Sequence, residues 1–344
     1  RGFVQPLLER MGERAAFEAA PLAAVADRKD PELETHDPQG NRVDRVVFHP
    51  AYHQLERLSY GEGIVQLKYD ATVRAQHGAV LHTLGFGLGY LFAQAEAGLY
   101  CPICMTDGAA RLLELHAPPA VRDELIPRLT TRDMARHYSG SMFLTETSGG
   151  SDVGTFTTVA TPAGDSAQPG SEWRLTGSKW FCSNVNAQVI LTLARPDGAG
   201  PGTRGLGLFV IVRDAADGPL AGFRIERIKR KLGVRSMATG EVSLEGVRAR
   251  LVAGVGAGFL AMSDMINLSR LYNAVTAVAL MRRALSEAAH HGRERMAFGR
   301  PLVELGVDSP AAQAIEALAE KLLHIPTLTK AQLPGLAVSN RSRQ

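Results

Sequence analysis

Two short segments carry side chains whose types and spacing suit chemistry. The first is MFLTETSGGSDV, Met142 to Val153, with hydroxyls at Thr145, Thr147, Ser148 and Ser151 around the Gly149-Gly150 pair. Hydroxyls and backbone N–H groups can meet the edge of a flat, electron-rich ring such as a flavin, and glycine lets backbone approach it closely. A plain polar turn has the same composition. The second is LTGSKWFCSN, Leu175 to Asn184, in which a Thr176-Gly177-Ser178 corner leads into adjacent Trp180 and Phe181 and then Ser183. An aromatic there can cover a ring face while the hydroxyl reaches its edge. A hairpin whose aromatics pack into a sheet is the plainer alternative.

Two further stretches carry charge. Residues 227–247 begin with five basic side chains between Arg227 and Arg235. They suit either a phosphate surface or a solvated edge strand kept from pairing by charge. In residues 267–302, Arg270 sits early in an otherwise apolar helix, where it must be paired, face a cavity or reach solvent. Arg295 precedes Phe298-Gly299 at the helix end, and an arginine there can hold a phosphate in a two-pronged hydrogen bond. Cys101-Pro102-Ile103-Cys104 has redox spacing, but it lies in a helical stretch without a second Cys/His pair and is read as packing. His290 and His291 are adjacent on a helix, so they diverge and do not chelate one metal. No Gly-x-Ser-x-Gly elbow is present.

The elements that must position these residues follow from periodicity. Residues 1–60 read as loops and short helices. From Ile64 to Leu115 the spacing is helical, with Leu81, Leu84, Leu88 and Leu91 on one stripe. Short β-prone runs separated by turns fill residues 142–244 and predict an antiparallel β domain. Helical spacing returns with Phe259, Met262, Met265, Ile266, Leu268, Leu271, Val275, Val278 and Met281, predicting a long, mostly buried helix. Helices, then strands, then helices is an α+β order. The boundaries predicted are a helical domain over 1–140, a β domain over 141–250, an incomplete helical bundle over 251–325 (one amphipathic helix at 311–323) and a disordered tail over 326–344. With 344 residues, 45% hydrophobic and 21% charged, the chain can bury a large core. A net charge of +3 gives no general attraction for nucleic acid, and three cysteines fit a reducing, cytoplasmic setting rather than a disulfide framework. No uninterrupted apolar run is long enough to cross a membrane. The chain begins with Arg1, which points to a start lying elsewhere.

Taken in order, these stretches resemble the acyl-CoA dehydrogenase superfamily. Its Thr-Glu-x-x-x-Gly-Ser-Asp segment is matched by Thr145 to Asp152, and its lysine–aromatic–hydroxyl–asparagine strand by Lys179 to Asn184. Its Lys-x-Gly-x-Arg-x-Ser loop is matched by Lys231 to Ser236, and its Arg-x-x-Phe-Gly helix end by Arg295 to Gly299. HDPQGNRVDRVVFHPAYH and AEAGLYCPICMT near the start resemble the alkylation-response, AidB-like branch. The resemblance implies FAD between three domains, an acyl-CoA thioester substrate losing its α and β hydrogens, and a homodimer or homotetramer. It also implies that Met142, Leu144, Thr145, Gly150, Ser151, Phe181, Cys182 and Ser183 contact the flavin. Arg295 and Phe298 would touch the adenosine diphosphate half held mainly by a neighbouring subunit, and Asn267 and Arg270 would lie at the substrate. The family's usual glutamate base has no counterpart: beside Arg270 stands Ser269. The family's glycine-rich segment and final helices are also missing after Leu302. Alternatives are therefore an AidB-like flavoprotein with a DNA-binding, protective role, although its usual C-terminal surface is absent, or an inactive, truncated member.

Overall fold

Asp70 opens the first long helix by accepting the Val73 N–H at 2.8 Å, as an N-cap aspartate should. That computed structural model describes residues 2–213, 218–297 and 300–301. It divides into two units, Arg1–Met281 and Arg282–Gln344.

The first unit begins with helices α1 (Val4–Arg14) and α2 (Ala20–Ala26), joined by a π-turn. A hairpin follows, β1 (Glu32–His36) and β2 (Arg42–Val47), then α3 (Pro50–Gly61), α4 (Ala71–Ala93), α5 (Tyr100–His116) and α6 (Pro119–Leu129). The hairpin is a difference from the expected loops. Its Asp/Pro/Gly residues make the turn itself: Asp37 Oδ1 accepts the Gln39 and Asn41 N–H groups, and Gly40 takes φ +85°. The hairpin is tied to the β domain by Asp44, which accepts the Ile225 N–H at 3.0 Å. On α4, Leu81, Leu84 and Leu88 are buried as expected, while Leu91 is only partly so. Gly89 is the notch that admits Tyr100 of α5, since a Cβ there would fall 2.1 Å from the tyrosine hydroxyl.

The β domain holds β3 (Gly140–Phe143), β4 (Val159–Pro162), β5 (Glu172–Ser183), β6 (Val189–Pro196), β7 (Gly207–Val212), β8 (Phe223–Ile228) and β9 (Thr239–Ala253). The pairings β6–β4, β4–β5, β5–β9, β9–β7 and β7–β6 form a closed circuit, with β3 added on β6 and β8 on β9. Closure leaves few free edges. The sheet is mainly antiparallel, as expected, but β3 and β4 both run parallel to β6. The expected corner at Thr176-Gly177-Ser178 lies inside one continuous strand, β5, whose register shifts there. Gly177 is required by close packing, because a Cβ would come 2.7 Å from the Thr158 hydroxyl.

Helix α7 (Gly258–Glu294) departs from the expected mostly buried helix. Met262, Met265 and Tyr272 are buried, but Leu271, Val278 and Met281 are exposed. Its apolar residues outnumber the positions that the described elements cover. Within the second unit the described residues are the end of α7 and the two-residue strands β10 (Met296–Ala297) and β11 (Arg300–Pro301), paired antiparallel. The helix expected at 311–323 and the tail lie outside the described residues.

Candidate functional site

Thr145 and Glu146 follow β3 directly, and two devices fix them. First, α5 holds β3 in place: the Gly140 N–H donates to the Thr106 hydroxyl at 3.0 Å, and α5 packs so tightly that a Cβ on Gly140 would lie 2.8 Å from that of Ala109. Second, the Glu146 carboxylate is buried in a cage of donors. Thr157 supplies N–H and hydroxyl at 2.6 and 2.9 Å, Thr158 supplies the same at 3.2 and 2.6 Å, and Lys179 Nζ lies at 2.8 Å. Lys179 also donates to the Leu193 carbonyl and sits over the Phe156 ring. Burial alone would raise the Glu146 pKa, but the Lys179 charge and the hydrogen bonds outweigh it and hold the carboxyl at about 2. Burial outweighs Glu146 at Lys179 and lowers the ammonium. The lysine of the KWFCSN strand is thus a strut that joins the two motifs. A backbone bond from the Trp180 N–H to the Thr145 carbonyl, 2.8 Å, adds to it.

The register of β5 shifts between Lys179 and Cys182, and past the shift the strand presents Phe181, which is 57% exposed. Phe181 and Ser183 line a cavity of about 370 Å³ together with Tyr100, Cys101 and Cys104 of α5, Lys231 and Val234, and Ser269, Tyr272, Asn273 and Thr276 of α7. All of these belong to the first unit. The loop between β8 and β9 is stapled to the N-terminal helices: Arg235 donates its N–H to Asp27 and its Nε to Asp30, and the Ser236 hydroxyl donates to buried Glu96 at 2.9 Å. Val234 at the cavity wall takes φ +48°, a strained setting for a β-branched residue. Behind the wall Lys68, Asp107, Tyr69 and Tyr272 form a buried network, with the Tyr272 hydroxyl donating to Asp107 at 2.8 Å. Burial raises the Tyr272 and Tyr100 phenols and the Cys104 thiol, so all three stay neutral.

The predicted site residues are therefore divided. Phe181 and Ser183 meet in the cavity. Thr145 is not among the residues that line it, and Gly150 approaches Thr145 so closely that a Cβ there would be 3.0 Å from the Thr145 hydroxyl. Met142 and Leu144 flank buried Phe143, and Ser151 is exposed. The hydroxyls of Thr145, Ser151 and Ser183 have no hydrogen-bond partner among the described residues, whereas the Ser183 carbonyl accepts from Ser141. Cys182 is buried away from the cavity and its thiol is pushed up by that burial. Asn267 and Arg270 do not line the cavity; both are exposed on α7 and bond to each other at 3.1 Å. Arg295 is exposed in the second unit, and Phe298 lies outside the described residues. The basic run is largely neutralised: Arg227 and Lys229 pair with Glu241, and Arg235 with Asp30. The cavity residues that the sequence reading missed are Tyr100, Cys101, Cys104, Lys231, Tyr272, Asn273 and Thr276. Helical spacing made the α5 and α7 members look like core. Among the described residues no cluster of metal-ligating side chains occurs, and no helix is long and apolar enough to cross a membrane.

A helical N-terminal domain, a closed β domain and a helical region after it follow one another along the chain. Family models agree in order along the chain: the AidB N-terminal domain of the adaptive response protein over residues 4–136, the acyl-CoA dehydrogenase middle domain over 141–247 and the acyl-CoA dehydrogenase C-terminal domain over 256–317. The chain belongs to the acyl-CoA dehydrogenase superfamily, and within it to the AidB-like branch. It is 34% identical over 307 residues to acyl-CoA dehydrogenase family member 11 of Caenorhabditis elegans, covering 85% of this chain and 48% of that protein. It is 34% identical over 312 residues to the putative acyl-CoA dehydrogenase AidB of Escherichia coli, covering 88% of this chain and 55% of that one. The structure of Caenorhabditis elegans ACDH-11 in complex with C11-CoA matches with a TM-score of 0.82 at 32% identity, over 92% of this chain and 53% of that chain. The chain thus spans about half the length of the curated relatives it matches.

Proposed function

We propose that this chain forms the flavin-facing and acyl-binding part of an acyl-CoA dehydrogenase-type oxidoreductase that uses FAD. The observation that carries this reading is the exposed Phe181 ring at a cavity edge with the unpartnered Ser183 hydroxyl beside it. The donor set fits a flavin: an aromatic face to stack on, hydroxyls of Ser183 and Thr145 for the ring's polar edge, and Gly150 and Ser151 where backbone and hydroxyl can meet a ribityl or phosphate oxygen. Bound FAD would supply the acceptor for the β-hydride of the acyl thioester.

The chain's own residues do the remaining work. Phe181 excludes water from one ring face. The Glu146–Lys179 strut fixes the distance between Thr145 and β5, so both hydroxyls are held before any ligand arrives. The cavity between α5 and α7 is walled by Cys101, Cys104, Met105 and Tyr272, which suits an apolar acyl tail. The C11-CoA complex of the Caenorhabditis elegans neighbour supports an acyl-CoA as occupant. Ser269 and Asn273 line the cavity, and neither carries the carboxylate that would suit a general base. The base for the α-proton is not assigned among the described residues. A homodimer or homotetramer belongs to the same proposal, and Arg295 and Phe298 are the residues by which a neighbouring subunit's FAD would be met.

The test is to load the chain with excess FAD, remove free flavin and add a medium-chain acyl-CoA without oxygen. A retained visible flavin band that shifts or bleaches on addition is expected. A protein that holds flavin but whose band never responds to any acyl-CoA would remove the substrate class.

A further inference from the structure

The described residues include five lysines. Four have a carboxylate within ion-pair distance: Lys29 with Glu32, Lys68 with Asp107, Lys179 with Glu146 and Lys229 with Glu241. Lys231 is the exception. Its Nζ donates to two uncharged acceptors, the Met237 carbonyl at 2.6 Å and the Thr239 hydroxyl at 3.2 Å, with Met237 Sδ at 3.9 Å. It does so on the wall of the cavity that Phe181, Ser183 and Cys101 share. Asp27 and Asp30 are near enough to feel its charge, but both are hydrogen-bonded to Arg235.

None of these three acceptors carries a charge, so nothing within ion-pair distance compensates an ammonium at the cavity wall. A neutral ε-amine has two N–H bonds and one lone pair. The two oxygens can take both N–H bonds, and loss of the proton that faces the Met237 sulfur frees the lone pair. We propose that Lys231 is a self-acylation site, whose ε-amine takes the acyl group of a thioester that enters the cavity. That the thioester is an acyl-CoA rests on the function proposed above; the reactivity of the amine does not.

The step balances without another reactant. The ammonium first loses a proton to water. The nitrogen lone pair then attacks the thioester carbonyl carbon, the C–S bond breaks, and sulfur leaves with the electron pair. The second proton on nitrogen passes to the thiolate or to water. The products are an N-acyl-lysine amide and a free thiol.

The electrostatics agree. Burial lowers the Lys231 ammonium to about 8, against opposing effects of Cys101, Asp30 and Asp27. These are the titratable groups that face it. Tyr100, Cys104 and Tyr272 share the cavity but are kept neutral by burial. Near pH 8 about half of such a group is neutral, against roughly one part in a few hundred for an ordinary lysine. Acylation would remove the cation and add a group beside Phe181. The modified chain would therefore hold less ligand in this cavity, which makes the acyl donor its own brake.

The experiment uses the full chain with two probes, acetyl-CoA and S-acetyl-N-acetylcysteamine, which is a thioester without the nucleotide. Peptide mass mapping follows each lysine over time between about pH 7 and about pH 9, a range spanning the lowered pKa. Expected is acetylation of Lys231 by both probes at least roughly tenfold faster than of exposed Lys29, because its neutral fraction is larger while its basicity is lower. The Lys231 rate should level off above about pH 8, while that of Lys29 keeps rising. Lys231→Arg should lose this label and keep the others, with an unchanged melt. Lys231 reacting no faster than Lys29 with either probe would overturn the proposal. Labelling by the small thioester alone would overturn acyl-CoA as the donor, and with it the occupant assigned to the cavity, but not the reactive amine.

Discussion

Lys179 and Phe181 stand two residues apart on β5 and meet opposite surroundings. Lys179 is sealed, with every polar contact made inside the protein: Glu146, the Leu193 carbonyl and the Phe156 ring. Phe181 is more than half exposed and faces a cavity, and the hydroxyl of Ser183 beside it lacks a partner among the described residues. Residues two apart would share a face of a regular strand, but the register shifts between Lys179 and Cys182, so one face serves the fold and the other is left for something else to satisfy. On the proposed function the difference separates residues that position from residues that would bind, although one sequence motif contains both.

That contrast can be broken most sharply from the sealed side. Lys179→Met leaves the Glu146 carboxylate buried without its cation and should cost about 3–5 kcal/mol of stability in a denaturant melt. A change of less than about 1 kcal/mol would mean that the pair does not hold the fold together. Acid should do the same more gradually. Glu146 is held at about 2 against an ordinary 4.5, so its contribution is complete above about pH 4.5 and is lost as pH falls towards 2. The loss should be on the order of 3 kcal/mol. Melting Glu146→Gln beside the unmodified chain across that range checks the sign, since the variant should lack this acid step.

On the open side the effects move from stability to affinity. Phe181→Ala removes a ring that little of the protein covers, so stability should change by no more than about 0.5 kcal/mol. FAD should nevertheless bind about 1 kcal/mol more weakly for want of the stacking partner. Ser183→Ala and Thr145→Val each delete one hydroxyl and should weaken FAD by about 0.5–1.5 kcal/mol, read by flavin fluorescence titration.

How much of this the sequence discloses depends on what each residue's neighbours do. That Phe181 and Ser183 share one side follows from strand alternation, whereas the burial of Lys179 does not, because the register shift between Lys179 and Cys182 has no signature in the sequence. The β1–β2 hairpin is not legible, since Asp37 to Asn41 read as a loop until two short strands are seen to pair across it. Lys231 is hidden for a different reason. In a run with Arg227, Lys229 and Arg235 it looks like one more solvated charge, and only the fold shows that the others find Glu241 and Asp30 while it does not. Cys101, Cys104 and Tyr272 follow helical periodicity whether they face a core or a cavity. Arg270 illustrates the reverse error. Its place in an apolar helix suggests a partner in a cavity, yet it is exposed on α7 and bonds to Asn267.

The central claim is that the two faces of β5 divide structure from ligand binding. The most direct test is an FAD titration of Phe181→Ala beside the unmodified chain, with thermal melts on the same samples. The account predicts weaker FAD binding and superimposable melts. Equal FAD affinity with a lowered melting temperature would contradict it, because Phe181 would then be holding the fold and the cavity would not be where a flavin rests.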